Sequence, residues 1–298
     1  MYPVLSKASG CTHRSERLAF LLIMFVLTGC VYSNTQQNND AESFGIREYD
    51  LNHPDRIFSL PYELAEISGL SYFKDSVVVA VQDELGKLFF YDYSKGKLID
   101  EFIFGEHGDY EGVEVVDSNI FIIKSNGDLF AVSTHTKKTR MIKTPLRSKN
   151  DVEGLGFHSQ SNQLVFACKE SSKVGDSSPK GKAFYGYEVA NDRFVKEPLF
   201  NIKRSDLSEA YGDEVRLFKP SGLAAHPITG ELYILAHGGK WLVHLNRSYE
   251  VVGITKLKGR RFNQPEGICF TPNGDMMISN EGDGDRGNIL YFRYQSPK

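Results

Sequence analysis

The sequence is short of cysteine, of basic surplus and of long apolar runs, and each shortage closes off a class of function. Four cysteines occur in 298 residues, and Cys11 and Cys30 fall within the first thirty. Cys168 and Cys269 remain, both inside apolar, strand-like runs, so buried free thiols are expected. A bridge between them stays open only if their Cα atoms come close in an oxidising compartment. No Cys/His spacing suggests a zinc site. Beyond residue 30 the chain carries 32 basic and 37 acidic side chains. Nucleic-acid binding usually needs a basic stripe, so no nucleic acid is expected as a partner. Short basic stretches such as Lys137-Lys138 or Lys256 to Arg261 read as solvated hairpin faces. The chain also lacks a Gly-x-Ser-x-Gly elbow and a His-Glu-x-x-His pair, which removes two common hydrolase signatures.

The apolar run Leu18 to Leu27 is too short for a membrane span. It follows Lys7, Arg14 and Arg17 and ends in Leu27-Thr28-Gly29-Cys30. A basic region, an apolar region and then small residues make a targeting segment. Its end resembles the lipobox of bacterial lipoproteins, in which small residues admit the peptidase and the cysteine thiol takes the lipid. A secretory signal with a chance cysteine is the competing reading. Residues 1–30 are therefore expected to be a lipoprotein signal peptide with Cys30 lipidated. The protein would then be anchored in a membrane of the bacterial cell envelope, with its periplasmic or surface face left open. Residues 31–43 are polar and rich in Asn and Gln, a composition that makes a flexible tether.

Residues 44–298 hold a repeat. Five phrases lead through a glycine into an apolar run: Glu66-Ile67-Ser68-Gly69-Leu70, Tyr110-Glu111-Gly112-Val113, Val152-Glu153-Gly154-Leu155, Pro220-Ser221-Gly222-Leu223 and Pro265-Glu266-Gly267-Ile268. Taken at the residue before each glycine, the steps are 43, 42, 68 and 45. Short strands repeating every ~40–45 residues indicate a β-propeller. The fold expected is all-β, a five-bladed β-propeller. Six blades would require the long step to hide a degenerate one. That step holds extra residues at Ser171 to Lys182 and at Arg204 to Phe218.

Most units read as four strands separated by turn residues. In the second, Asp117-Ser118-Asn119 and Asn126-Gly127-Asp128 are hairpin turns, Asn-Gly because both residues tolerate positive φ. The fifth unit has only Ile268–Phe270, Met276–Asn280 and Ile289–Tyr294 before the chain ends. Arg56–Leu60 precedes the first phrase as Leu98–Phe104 precedes the second. This N-terminal strand is therefore expected to complete the last blade and close the ring, removing exposed edges.

A glycine opening an innermost strand allows close approach near the axis. Glutamates there are a different matter. Glu111, Glu153 and Glu266 would converge on the central channel, where like charges repel and uncompensated burial is costly. A calcium ion takes carboxylate and neutral oxygens; the three glutamates are its expected ligands, with Ser68 and Ser221 completing the circle. Asp83, Glu170 and Glu281, at the ends of the second strands, are supporting candidates. Lys124 and Lys169 could pair with the glutamates in place of a metal. Glu281-Gly282-Asp283-Gly284-Asp285 is partly like a calcium loop, but it lacks the full EF-hand ligand series and sits where a hairpin turn is expected.

The phrases Asp151-Val152-Glu153-Gly154-Leu155 and Gln264-Pro265-Glu266-Gly267-Ile268, the run Met277-Ile278-Ser279-Asn280-Glu281 and the lipobox together resemble the SdiA-regulated protein family of YjiK-like envelope proteins. The resemblance covers about residues 44–298 and implies a five-bladed propeller with a calcium site. The family often has Asn-Glu at the end of the first blade's second strand, whereas this chain has Gln82-Asp83. Two functions follow as expectations. One is a lipid-anchored propeller that binds calcium at its channel and a small molecule or protein partner. The alternative is a metal-dependent hydrolase of esters, lactones or phosphoesters, with His237 or Glu281 as base. No catalytic nucleophile is identified.

Overall fold

A computed structural model describes residues 45–296. The signal segment, the lipobox with Cys30 and the tether at 31–43 lie outside the described residues. The strands are β1 (Arg56–Ser59), β2 (Ile67–Lys74), β3 (Val77–Gln82), β4 (Lys87–Asp92), β5 (Lys97–Ile103), β6 (Tyr110–Val116), β7 (Asn119–Lys124), β8 (Leu129–Ser133), β9 (Thr139–Ile142), β10 (Val152–His158), β11 (Gln163–Cys168), β12 (Lys182–Glu188), β13 (Arg193–Ile202), β14 (Gly222–Ala225), β15 (Leu232–Ala236), β16 (Trp241–Leu245), β17 (Val251–Lys256), β18 (Pro265–Phe270), β19 (Met276–Asn280) and β20 (Asn288–Phe292). They form five antiparallel four-stranded sheets, arranged as the five blades of a propeller. The 68-residue step hides no sixth blade.

Four blades take their strands in chain order. The fifth runs β18-β19-β20-β1. Arg56 pairs with Tyr291 and Ser59 with Asn288, so the first strand closes the last blade as expected. The hydrogen bond from Leu60 N to Gly287 O, 2.9 Å, continues the seam past the strand.

Successive side chains of a strand face opposite ways, and each blade is packed on both faces. In β3, Val77, Val79 and Val81 enter the core shared with the second blade, while Val78 and Ala80 enter the core shared with the fifth. The same alternation yields five apolar clusters, one between each pair of neighbouring blades. This two-sided burial is why the middle strands read as unbroken apolar runs. The outer strands carry polar residues and are largely exposed, as in β5 and β9.

The insertion at 204–218 contains α1 (Arg204–Tyr211), a helix absent from the sequence reading. Leu207, with Val215 and Phe218 after it, plugs the core between the third and fourth blades. Before β1, Ile46, Tyr49 and Leu51 are buried against the fourth and fifth blades. The Tyr49 hydroxyl donates to Gly274 O at 2.6 Å. Cys168 and Cys269 are buried free thiols in different blades. Among the described residues no helix is long and apolar enough to cross a membrane.

Candidate functional site

The five repeated phrases open the inner strands, and the ladder slips at four of them. Pairing is irregular between Ile67 and Gly69, Tyr110 and Gly112, Val152 and Gly154, and Pro265 and Ile268. Each slip lifts a residue out of the ladder: Ser68, Glu111, Glu153 and Glu266. Such bulges re-aim side chains, commonly at barrel rims and active sites. The glycine that follows has a separate task. A Cβ on Gly112 would come within 2.9 Å of Leu155 Cβ and 3.0 Å of Glu153 O; one on Gly69 would come within 2.9 Å of Gly112 Cα. Each inner strand thus leans on the next without room for a side chain.

Ser68, Glu111, Glu153, Ser221 and Glu266 all line one axial cavity of about 10 Å³, enough for roughly one water-sized occupant. The structure brings the five together as the sequence suggested, though not as free ligands. Ser68 Oγ donates to Tyr110 O at 2.5 Å, and Ser221 Oγ donates to Pro265 O at 2.9 Å, so the two serines stitch adjacent blades. Lys169 Nζ donates to Glu153 Oε1 and lies 3.8 Å from Asp151. His237 Nδ1 sits 2.8 Å from Glu266 Oε1. Lys124, the other lysine named from sequence, sits 5.1 Å from the Tyr110 ring centroid.

The electrostatics remain unbalanced. Burial, followed by Glu153 and Asp109, raises Glu111 to about 9. Burial and Glu266 raise Glu153 to about 8 against the opposing pull of Lys169. The bond to Glu266 raises His237 despite burial. Glu153 Oε2 is buried and has no hydrogen-bond partner. Among the described residues no three Asp, Glu, His or Cys side chains are arranged to hold a metal ion. The donor types suit a hard cation, and the orphaned Glu153 oxygen is available to one. Coordination would require Lys169 and His237 to yield.

The supporting candidates divide. Asp83 and Glu281 stand at the ends of β3 and β19, on the mouth where the inner strands begin. Burial, then Glu66 and Glu84, raises Asp83 to about 6. Burial, then Glu266 and Asp83, raises Glu281 to about 7. Gln82 is engaged in the turn, its Oε1 accepting from Glu84 N and Leu85 N at 2.5 and 2.6 Å. Glu170 is exposed and bonded to Lys219, outside the residues that line the axial cavity. The segment from Glu281 to Asp285 lies in the turn between β19 and β20, tied to the link between β1 and β2 by Gly282 N donating to Ala65 O at 2.8 Å.

The sequence profile of SdiA-regulated proteins matches residues 59–283. The chain belongs to the SdiA-regulated family. No curated protein matches its sequence. This SdiA-regulated propeller is similar to the glutaminyl cyclase of Myxococcus xanthus, at 15% identity and a TM-score of 0.61, over 83% of this chain and 97% of that one. It is also similar to a protein of unknown function from Bacteroides thetaiotaomicron, at 9% identity and a TM-score of 0.50, over 76% and 69%. At these identities the likeness shows the fold alone.

Three acidic groups around this SdiA-regulated channel went unread in the sequence: Asp109, Asp151 and Glu114. The first two each sit one residue before an inner strand, beside the repeated phrases. Glu114 lies inside Val113-Glu114-Val115, where a carboxylate in a strand packed on both faces was itself the signal.

Proposed function

We propose that the protein is a lipid-anchored envelope propeller whose acidic channel mouth takes up a calcium ion, and with it a small molecule or protein partner at the same mouth. The observation behind this reading is the buried, partnerless Glu153 Oε2 on the axis, beside Glu111 and Glu266. A divalent ion would offset the burial and mutual repulsion that hold the Glu111 and Glu153 carboxyls above their ordinary value. Glu111, Glu153 and Glu266 would hold it, with the lone pairs of Ser68 and Ser221 nearby.

The test is thermal unfolding with calcium or with a chelator. Calcium should raise the midpoint of the wild type and leave Glu153→Gln unchanged. Identical curves with calcium and chelator in the wild type would leave Lys169 and His237 as the sole counterions and end the calcium reading.

One observation favours a second reading, metal-assisted hydrolysis of esters, lactones or phosphoesters. Glu266 holds Nδ1 of His237, which leaves the other ring nitrogen free to accept a proton at the mouth, the orientation a general base requires. Turnover of aryl esters or lactones that His237→Gln abolishes without lowering the melting temperature would support it. No turnover with calcium supplied would count against it.

A further inference from the structure

The inner strands run from the acidic mouth to an opposite end, where the channel widens into a pocket of about 260 Å³. Its walls come from the later residues of the inner strands: Tyr72 on β2, Glu114 on β6, Phe157 on β10, Ala225 on β14, and Cys269 and Phe270 on β18. The lining is mostly apolar and aromatic, with Ser71 and a single carboxylate as its polar members. Among the described residues no lysine, arginine or histidine lines the pocket. Glu114 makes one long contact, accepting from Ser71 Oγ at 3.4 Å, and Ser71 Oγ in turn accepts from Val115 N at 3.2 Å.

A carboxylate among apolar walls with no counter-charge is costly to keep unless something pairs with it. Pockets that bind small molecules share this plan: apolar and aromatic walls with one or two polar groups that fix orientation. The volume suits a single-ring molecule rather than a polymer. We infer that this pocket is a second binding site, for a small amine with an apolar or aromatic body, its ammonium seated on Glu114 and its body against Tyr72, Phe157 and Phe270. Burial raises the Glu114 carboxyl to about 8, so the empty pocket near neutral pH holds a largely protonated acid. Tyr72 and Cys269, the other titratable groups facing the pocket, are also raised by burial and stay neutral. An arriving ammonium therefore displaces the Glu114 proton. This site is independent of any calcium at the other mouth.

The probe is 2-phenylethylammonium, compared with 2-phenylethanol, a neutral molecule of the same shape. Calorimetry on the full chain should show the amine binding at least about tenfold more tightly than the alcohol, the scale of one charge-assisted contact. Near pH 7, in buffers of differing ionisation enthalpy, it should release up to about one proton per amine bound. Glu114→Gln should erase the preference and the proton release, while Glu153→Gln at the opposite mouth keeps both. Methyl resonances on the wild type locate the ligand without a variant, with Ala225 shifting and Leu155 unmoved. An amine that binds no better than the alcohol, shows no binding at millimolar concentration, or perturbs Leu155 instead would overturn the assignment.

Discussion

Burial and neighbouring carboxylates raise two of the channel glutamates, Glu111 and Glu153, and only at Glu153 does a lysine, Lys169, pull the other way. A carboxyl raised by folding keeps its proton where the unfolded chain would have lost it. Between the ordinary value of 4.5 and the raised values of about 9 for Glu111 and about 8 for Glu153, the folded state binds more protons. Stability then falls as pH rises through that window. Asp92 acts in the opposite sense. Bonds from Lys95, Ser94 and Ser76 hold its carboxyl below the usual 3.8, so its contribution is present above that value and fades as pH drops. Without added metal, the melting temperature should peak at mildly acidic pH and decline toward pH 9. Glu153→Gln should flatten the decline. A melting temperature that climbs steadily from pH 5 to 9 would show that the mouth is better compensated than its geometry indicates. The trio itself was legible because each glutamate precedes a glycine in a repeated phrase. Its partners were less so: the choice of Lys169 over Lys124 depends on where a side chain leaves the end of β7 or β11, which spacing does not encode.

At the scale of the strand, the repeated phrase carries two instructions. The residue before the glycine is expelled from the ladder and turned to the axis, and the glycine lets the next blade close in. The sequence displayed both residues but not the bulge, because strands buried on both faces read as continuous apolar runs with no alternation for a one-residue slip to disturb. Three inner strands consequently begin three residues earlier than their apolar runs suggest, at Tyr110 rather than Val113, Val152 rather than Leu155 and Pro265 rather than Ile268. Helix α1 was hidden for a related reason: eight residues with one buried apolar side chain make no periodic stripe. Gly112→Ala tests the packing role. The added methyl meets backbone and Cβ atoms of the third blade, and overpacking of this kind typically costs about 1–3 kcal/mol. The expected outcome is a lower midpoint in urea with an unchanged slope, measured by tryptophan fluorescence or circular dichroism. An equally stable alanine variant would mean that the inner strands have slack to separate. Removing residues 45–60 tests the seam: β20 would lose its partner and present an open edge. The truncated chain should aggregate or unfold, whereas a soluble monomer with the full-length melting temperature would show that the closing strand is dispensable.

The propeller is a ring with two unlike mouths, one crowded with carboxylates and the other largely apolar around a single acid. The closed ring was readable because four-strand units repeat, and because the fifth unit's deficit matched a spare strand at the start. The second mouth was not readable, since its walls come from the late residues of inner strands whose apolar character looked like ordinary core. Among the described residues no helix is long and apolar enough to cross a membrane, and beyond residue 30 acidic side chains outnumber basic ones. The proposed attachment to an envelope membrane would rest on Cys30 in Leu27-Thr28-Gly29-Cys30, since stable anchoring takes more than one acyl chain and a diacylglyceryl cysteine would provide it. The packed body begins by Ile46, so loss of the lipid should not disturb the fold. Cys30→Ala expressed in a bacterial host should lose palmitate labelling and leave the membrane fraction while keeping the wild-type melting temperature. Labelling that persists in that variant would move the attachment elsewhere in the chain.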